Sequence, residues 1–133
     1  DITVVSYGST LKIVEKAAVE LEKFNISCEI IDCQSLIPFD LDNNIGESIK
    51  KTNRVIIIDE DFSGGASAYI LDNLINKQNI YDYLDSKPHT LSAQDHRPAY
   101  GTDGDYFSKP SIDEIFNKIY SIMNELSPEK YPI

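Results

Sequence analysis

"IIIDEDFSGGASAYIL", residues 56–71, reads as an apolar strand that runs into three acids, a glycine pair and then a helix. With the two residues before it, the strand segment "RVIIID" (Arg54–Asp59) is almost continuously apolar. A strand with one face in water alternates apolar and polar residues. An unbroken apolar strand is covered on both faces, as in a parallel sheet with helices on each side. Ala66, Ile70 and Leu74 then recur at helical spacing, so strand passes directly into helix as in a crossover unit.

The same order recurs on either side. Upstream, "ITVVSYG" (Ile2–Gly8) is a β-branched strand ended by glycine. A helix follows in "TLKIVEKAAVELEKFN", with Leu11, Val14, Ala18 and Leu21 in register and Ala17 and Phe24 beside them. Ser9 or Thr10 is expected to cap it, and Asn25 to end it in a left-handed turn. "SCEIIDC" (Ser27–Cys33) is a second strand. Pro38 then holds off helix until Asp40 or Asp42 caps one, with Leu41, Ile45 and Ile49 on its inner face and its end near Thr52. Downstream, "IYDYLDSKP" (Ile80–Pro88) fits neither periodicity. "HTLSAQD" (His89–Asp95) reads as a shorter fourth strand and "HRPAYGTDGDYFSKP" (His96–Pro110) as a loop. Ser111 and Glu114 form a capping box ahead of a helix in which Ile112, Ile115, Phe116, Ile119, Met123 and Leu126 share one face.

Strands alternating with helices, without an internal repeat, predict an α/β fold. We expect a three-layer α/β/α arrangement around a mainly parallel, doubly wound sheet of about four to five strands with right-handed crossovers. The expected order is 2-1-3-4, reversing between strands 1 and 3. Ligands in such folds gather at the carboxyl ends of the strands at that switch point. The loops there are "SYGST" (Ser6–Thr10) and "DEDFSGG" (Asp59–Gly65).

Composition narrows the function. The 133 residues suffice for one domain with its own core, and 41% hydrophobic with 26% charged residues describes a globular chain. No apolar run approaches the ~20 residues that span a bilayer, and the start lacks the pattern of a signal peptide. With 22 acids against 12 bases the net charge is −10, which would repel a phosphate backbone and argues against nucleic acid. The acids are spread along the chain as a solvated surface. Cys28 and Cys33, five apart on a strand, point to opposite faces, so they should not pair; we read them as buried thiols of a reducing compartment. The opening Asp1 without a Met leads us to expect a fragment of a longer protein.

None of the loops carries a complete chemical motif. "SYGST" has one glycine where a dinucleotide fingerprint needs three, and no G-K-[ST] of a P-loop. Its hydroxyls suit either a flavodoxin-like FMN phosphate or an ordinary capped turn. Asp59, Glu60 and Asp61 oppose an anion. They suit Mg²⁺ only if the first strand also ended in acids, and it ends in Ser6 and Tyr7. "GTDGD" (Gly101–Asp105) fails as a calcium loop because Phe107 stands where an oxygen ligand is needed. Of the two histidines, His89 and His96, the second lies between Asp95 and Arg97 and could act as a general base, but no motif puts a nucleophile beside it.

An ordered series of stretches resembles one family. "DITVVSYGS" resembles the opening strand and turn, and "LEKFNISCEIIDCQSLIPFD" the stretch "L...GI..EVIDLRTL.P.D", of the C-terminal domain of transketolase-type, thiamine diphosphate-dependent enzymes. "SIKKTNRVIIIDED" resembles that family's "S..KTGR.V.V.E", and "GGASAYI" sits where it has glycines followed by "aEI". "YLDSKPHTLSAQDHRPAY" resembles "FLDAPV.R..G.D.P.PY", with one residue more in "LDSKP" and Arg97 near the position of the first proline. Within the family the series is most like the β subunit, or fused β half, of 2-oxo acid dehydrogenase E1 components, which act on pyruvate or branched-chain 2-oxo acids.

The resemblance implies a transketolase C-terminal-like domain spanning residues 1–133 of a longer, cytoplasmic, bacterial E1 chain. It implies an oxidoreductase whose thiamine diphosphate and Mg²⁺ are held by preceding domains, with no catalytic, cofactor or metal residue in this one. The implied work is packing on the upstream thiamine-binding domains, building an E1 homodimer or α2β2 assembly, and docking the lipoyl acyltransferase E2. Asp85 matches the family's docking aspartate. Asp59, Glu60, Asp61, Asp95, His96 and Arg97 are the further interface candidates. The alternatives are the C-terminal domain of a transketolase or deoxyxylulose-phosphate synthase, for which Arg97 and Lys109 are the few basic residues near loops, and a flavodoxin-like FMN module.

Overall fold

A computed structural model describes residues 1–34, 39–40, 42–62, 65–93 and 110–133, apart from the side chains of Asp61, Phe62 and Ala93. Four strands form one sheet: β1 (Ile2–Ser6), β2 (Cys28–Asp32), β3 (Val55–Phe62) and β4 (His89–Ala93). Their order is β2-β1-β3-β4 and every pairing is parallel, with Val4 opposite Ile30 on one side and Ile56 on the other. The expected order and reversal point are those observed. All five residues of β1 are buried, as befits an inner strand. β2 is an outer strand, half-exposed along most of its length.

Helices α1 (Thr10–Glu22) and α4 (Ile112–Leu126) cover one face, and α2 (Asn44–Thr52) and α3 (Ala66–Asp72) the other. The strand alternation sorts the core accordingly. Ile56 and Ile58 pack with Val14, Ala17, Leu21, Ile115 and Ile119. Val55 and Ile57 pack with Ile45, Ile49, Ile70 and Leu74. Cys28 belongs to the first side and Cys33 to the second, so the two thiols cannot bond to each other. Cys28 is half-buried rather than buried; burial still pushes its thiol up to about 11, which keeps it protonated.

Several local expectations are corrected. The third strand does not stop at Asp59: it continues through the acids to Phe62, after a register shift against β4 beyond Ile58. Helix α2 starts later than expected. Neither Asp42 nor the left-handed Asn43 (φ 56°) caps it; the Asp40 carboxylate accepts from the Asn44 and Ile45 amides at 3.0 and 2.9 Å. Leu41 lies outside the described residues. On α1, Thr10 and Ala17 are buried while Leu11 and Ala18 are only half-buried, because the inner face is rotated by about one residue. Phe24 lies half-exposed, edge-on to Phe116 and Tyr120 of α4. Asn25 does adopt the left-handed turn, at φ 63°. The capping box at Ser111 and Glu114 forms as expected, and the face behind it also includes Ile122. The stretch after α3 resolves into a π-helical turn (Asn73–Lys77) and a 3-10 turn (Ile80–Tyr83).

His89, only 7% exposed, opens β4. Its pKa is lowered below the ordinary 6.5, first by burial and then by Lys118 and Lys87, with Glu125 opposing. The folded state therefore favours the neutral ring, and the unfolded chain binds the proton more readily. Stability present above about pH 6.5 is lost as pH falls towards the folded pKa, at no more than about 1.4 kcal/mol per pH unit for one proton. Urea unfolding at pH 7.5 and 5.0 is expected to show this loss, and His89→Gln to reduce the difference. An unchanged difference in the variant would assign the acid sensitivity to other groups.

Candidate functional site

At the switch point the carboxyl ends of β1 and β3 bring "SYGST" and the start of "DEDFSGG" together. The two loops turn their polar groups on each other. Ser6 donates to the Ile58 carbonyl at 3.0 Å. The Tyr7 hydroxyl donates to Asp59 Oδ1, and the Ser67 amide, in the first turn of α3, donates to Asp59 Oδ2 at 2.8 Å. Ser9 stands at the cap position of α1 but makes no side-chain cap bond; its hydroxyl donates to Glu60 Oε2 at 2.9 Å. Gly8 between them has φ +63°, and a Cβ there would lie 3.7 Å from Glu60 Oε1, so backbone conformation rather than space calls for glycine.

Asp59 is 0% exposed. A carboxylate is tolerated there because both its oxygens accept hydrogen bonds. Its role is to tie the loop after β1 to the start of α3. Glu60 is half-buried and reaches the loop from the outer side. A phosphate brought to "SYGST" would meet the carboxylates of Asp59 and Glu60, so the loop does not fit the FMN phosphate that its hydroxyls suit in isolation. Among the described residues no three His, Cys, Asp or Glu side chains are grouped to hold a metal ion.

The other described candidate lies at the amino end of the sheet. Asn53 ends α2 in a left-handed conformation, φ 63°, and donates through Nδ2 to the Tyr83 carbonyl at 2.7 Å. The Asp85 amide donates to the Asn53 carbonyl at 2.9 Å. Arg54 Nη2 lies 3.2 Å from Asp85 Oδ2, while Nη1 donates to the Asp1 carbonyl at 2.9 Å. The Asp85 side chain stays 45% exposed. Tyr81 and Tyr83 flank it, 71% and 42% exposed. The Lys50 ammonium sits 5.3 Å from the Tyr83 ring centroid, a cation–π contact.

The sequence candidates thus fall on two separate surfaces. Asp59, Glu60 and Asp61 belong to the carboxyl end of β3 and Asp85 to the amino end. Five residues of strand, on the order of 17 Å, separate Asp59 from Arg54. Asp95, His96 and Arg97 lie outside the described residues. Sequence reasoning passes over Arg54, Asn53 and Tyr83, whose side chain or carbonyl builds the Asp85 corner, and Tyr7 and Ser67, which hold Asp59. Arg54 does carry a signal, a charge placed directly before an apolar strand, but by periodicity it is only the strand's first residue.

No described helix is long and apolar enough to cross a membrane. The model of a family described as "Transketolase, C-terminal domain" matches residues 1–109. The pyruvate dehydrogenase E1 component subunit beta of Rickettsia bellii is 32% identical over 122 residues, covering 91% of this chain and 37% of that protein. The subunit of the same name from Rhizobium meliloti is 30% identical over 122 residues, covering 92% and 26%. The chloroplastic subunit beta-2 of Arabidopsis thaliana is 42% identical over 94 residues, covering 71% and 23%. The chain therefore spans between 23% and 37% of the length of these three relatives. A solved split-gene transketolase, described as an inactive beta4 tetramer, superposes with a TM-score of 0.69 at 20% identity, over 91% of this chain and 37% of its own; that likeness is one of fold.

Proposed function

The chain belongs to the transketolase C-terminal domain family, and on that premise we propose that it is the assembly and partner-docking domain of a thiamine diphosphate-dependent 2-oxo acid dehydrogenase E1. The whole enzyme decarboxylates pyruvate or a branched-chain 2-oxo acid oxidatively and transfers the acyl group to lipoyl-E2 in the cytoplasm. The cofactor and Mg²⁺ are held by upstream domains, and this domain packs on them within an E1 homodimer or α2β2 assembly. The observation that carries this reading is the likeness to pyruvate dehydrogenase β subunits over 122 residues. The switch point supports it, because Asp59 and Glu60 are engaged by Tyr7, Ser67 and Ser9 of the same chain.

Two surfaces then have separate tasks. Glu60, Asp61, Asp95, His96 and Arg97 serve contacts with neighbouring domains of E1, while Asp59 ties the loop after β1 to the start of α3. Asp85 accepts a hydrogen bond from a basic group of E2. The net charge of −10 adds to the encounter rate with such a partner more than to its final affinity. In the assembled enzyme, Asp85→Lys is expected to weaken E2 binding by about tenfold or more, since it puts like charge against the basic partner. The check is calorimetric titration with E2 alongside decarboxylation assayed with an artificial electron acceptor, which needs no E2. Parallel loss of both would assign Asp85 to folding instead of docking.

A further inference from the structure

Asp85 does not stand as an isolated charge. One of its carboxylate oxygens is held by Arg54 at 3.2 Å, and its backbone amide is held by Asn53 at 2.9 Å. Arg54 is itself anchored, its side chain 19% exposed and its Nη1 on the Asp1 carbonyl at 2.9 Å. The third donor of the fork, Nε, is buried and has no hydrogen-bond partner. The fork thus leaves part of its donor capacity unused while directing one nitrogen at Asp85. Lys50 on the neighbouring Tyr83 ring adds further positive charge to the same corner. Lys50 is itself ion-paired with Glu47 at 3.0 Å, so the charges around Asp85 are largely matched within the domain. Recognition at this corner depends on where the remaining carboxylate oxygen points.

Resting on the docking role given to Asp85 above, we propose that Arg54 is a positioning residue for E2: it fixes Asp85 through Oδ2 and leaves Oδ1 to accept from a guanidinium or ammonium group of the docked partner. Lysine at position 54 would keep the charge but could not hold the Asp1 carbonyl and Asp85 Oδ2 with two nitrogens of one rigid group, as Arg54 does. A loosened Asp85 samples several rotamers, and each binding event must then order it.

The test is a double-mutant cycle on the assembled E1 titrated with the subunit-binding segment of E2, using wild type, Asp85→Asn, Arg54→Met, the double variant and Arg54→Lys. Asp85→Asn is expected to weaken binding about tenfold and Arg54→Met about three- to tenfold, with the double variant no weaker than Asp85→Asn alone. Arg54→Lys should recover part of the loss without restoring wild-type affinity. An Arg54→Met loss that appears in full on top of Asp85→Asn would overturn the proposal and leave the docking role of Asp85 standing. Tighter binding by Arg54→Met would also overturn it, by showing that Arg54 competes with the partner. Unchanged binding in Asp85→Asn would remove the docking role and this proposal with it. If Arg54→Met does not fold, the cycle is run with Arg54→Lys, and full additivity there overturns the proposal in the same way.

Discussion

Replacing both Ile56 and Ile57 by alanine is expected to destabilise the domain by about 6–8 kcal/mol, close to the simple sum of two single losses of about 3–4 kcal/mol each. Both side chains are 0% exposed. Each truncation removes buried methyl and methylene groups and leaves a cavity that a close-packed core fills only in part. Adjacent residues usually couple. These two sit in different packing clusters, Ile56 under α1 and α4 and Ile57 under α2 and α3, with the sheet between them. A loss of this size is comparable with the whole stability of an ordinary domain, so the double variant should be largely unfolded at 37 °C. Urea denaturation of the two single variants, and circular dichroism of the double, measure it. A coupling above about 1 kcal/mol would mean that the two faces communicate through the sheet.

Asp59→Ala is expected to cost about 2–4 kcal/mol. The buried Ser67 amide and the half-buried Tyr7 hydroxyl lose this acceptor at once, and a buried donor left without its acceptor costs about 1–3 kcal/mol. Relief of the desolvation of a buried carboxylate offsets part of that sum. Asp59→Asn should lie between, because the amide keeps one acceptor oxygen and presents a donor to the other partner. Tyr7→Phe, which removes a single hydroxyl, should cost about 1 kcal/mol. Chemical denaturation with an unchanged m-value is the appropriate measurement. An Asp59→Ala loss below about 1 kcal/mol would show that water replaces the carboxylate and that the tie between the two loops is dispensable.

The architecture is legible in the sequence because its signals are redundant. The unbroken apolar run of β3, the 3.6-residue periodicity of α1 and α4, and the capping box at Ser111 each point to the same layered fold, and each is present in the structure. Where structure and expectation part, a side chain has found a partner that local patterning does not encode. Acids beside glycines read as a turn, yet β3 runs through Asp59 because that carboxylate is satisfied by residues 52 positions upstream and 8 downstream. Of the two expected caps of α2 it is Asp40 that serves, reaching past Asp42 and Asn43 to the Asn44 and Ile45 amides, a choice that residue preference alone does not make. The candidate site is only half accessible for the same reason. Asp85 is reached through a motif that also holds Tyr83, but the Asn53 and Arg54 that shape its corner come from a different crossover and meet it only in three dimensions.

The outer strand β2 has a bearing on how copies of the domain can meet. The free edge of an outer strand such as β2 is a template for strand addition, a route by which sheet proteins aggregate. Here the open side carries Glu29, ion-paired with Lys51 at 3.0 Å, and the exposed Asp32. Any strand that zipped onto β2 would have to strip water from those charges and set carboxylates against its own. The β2 edge thus opposes strand addition by a second copy of the domain.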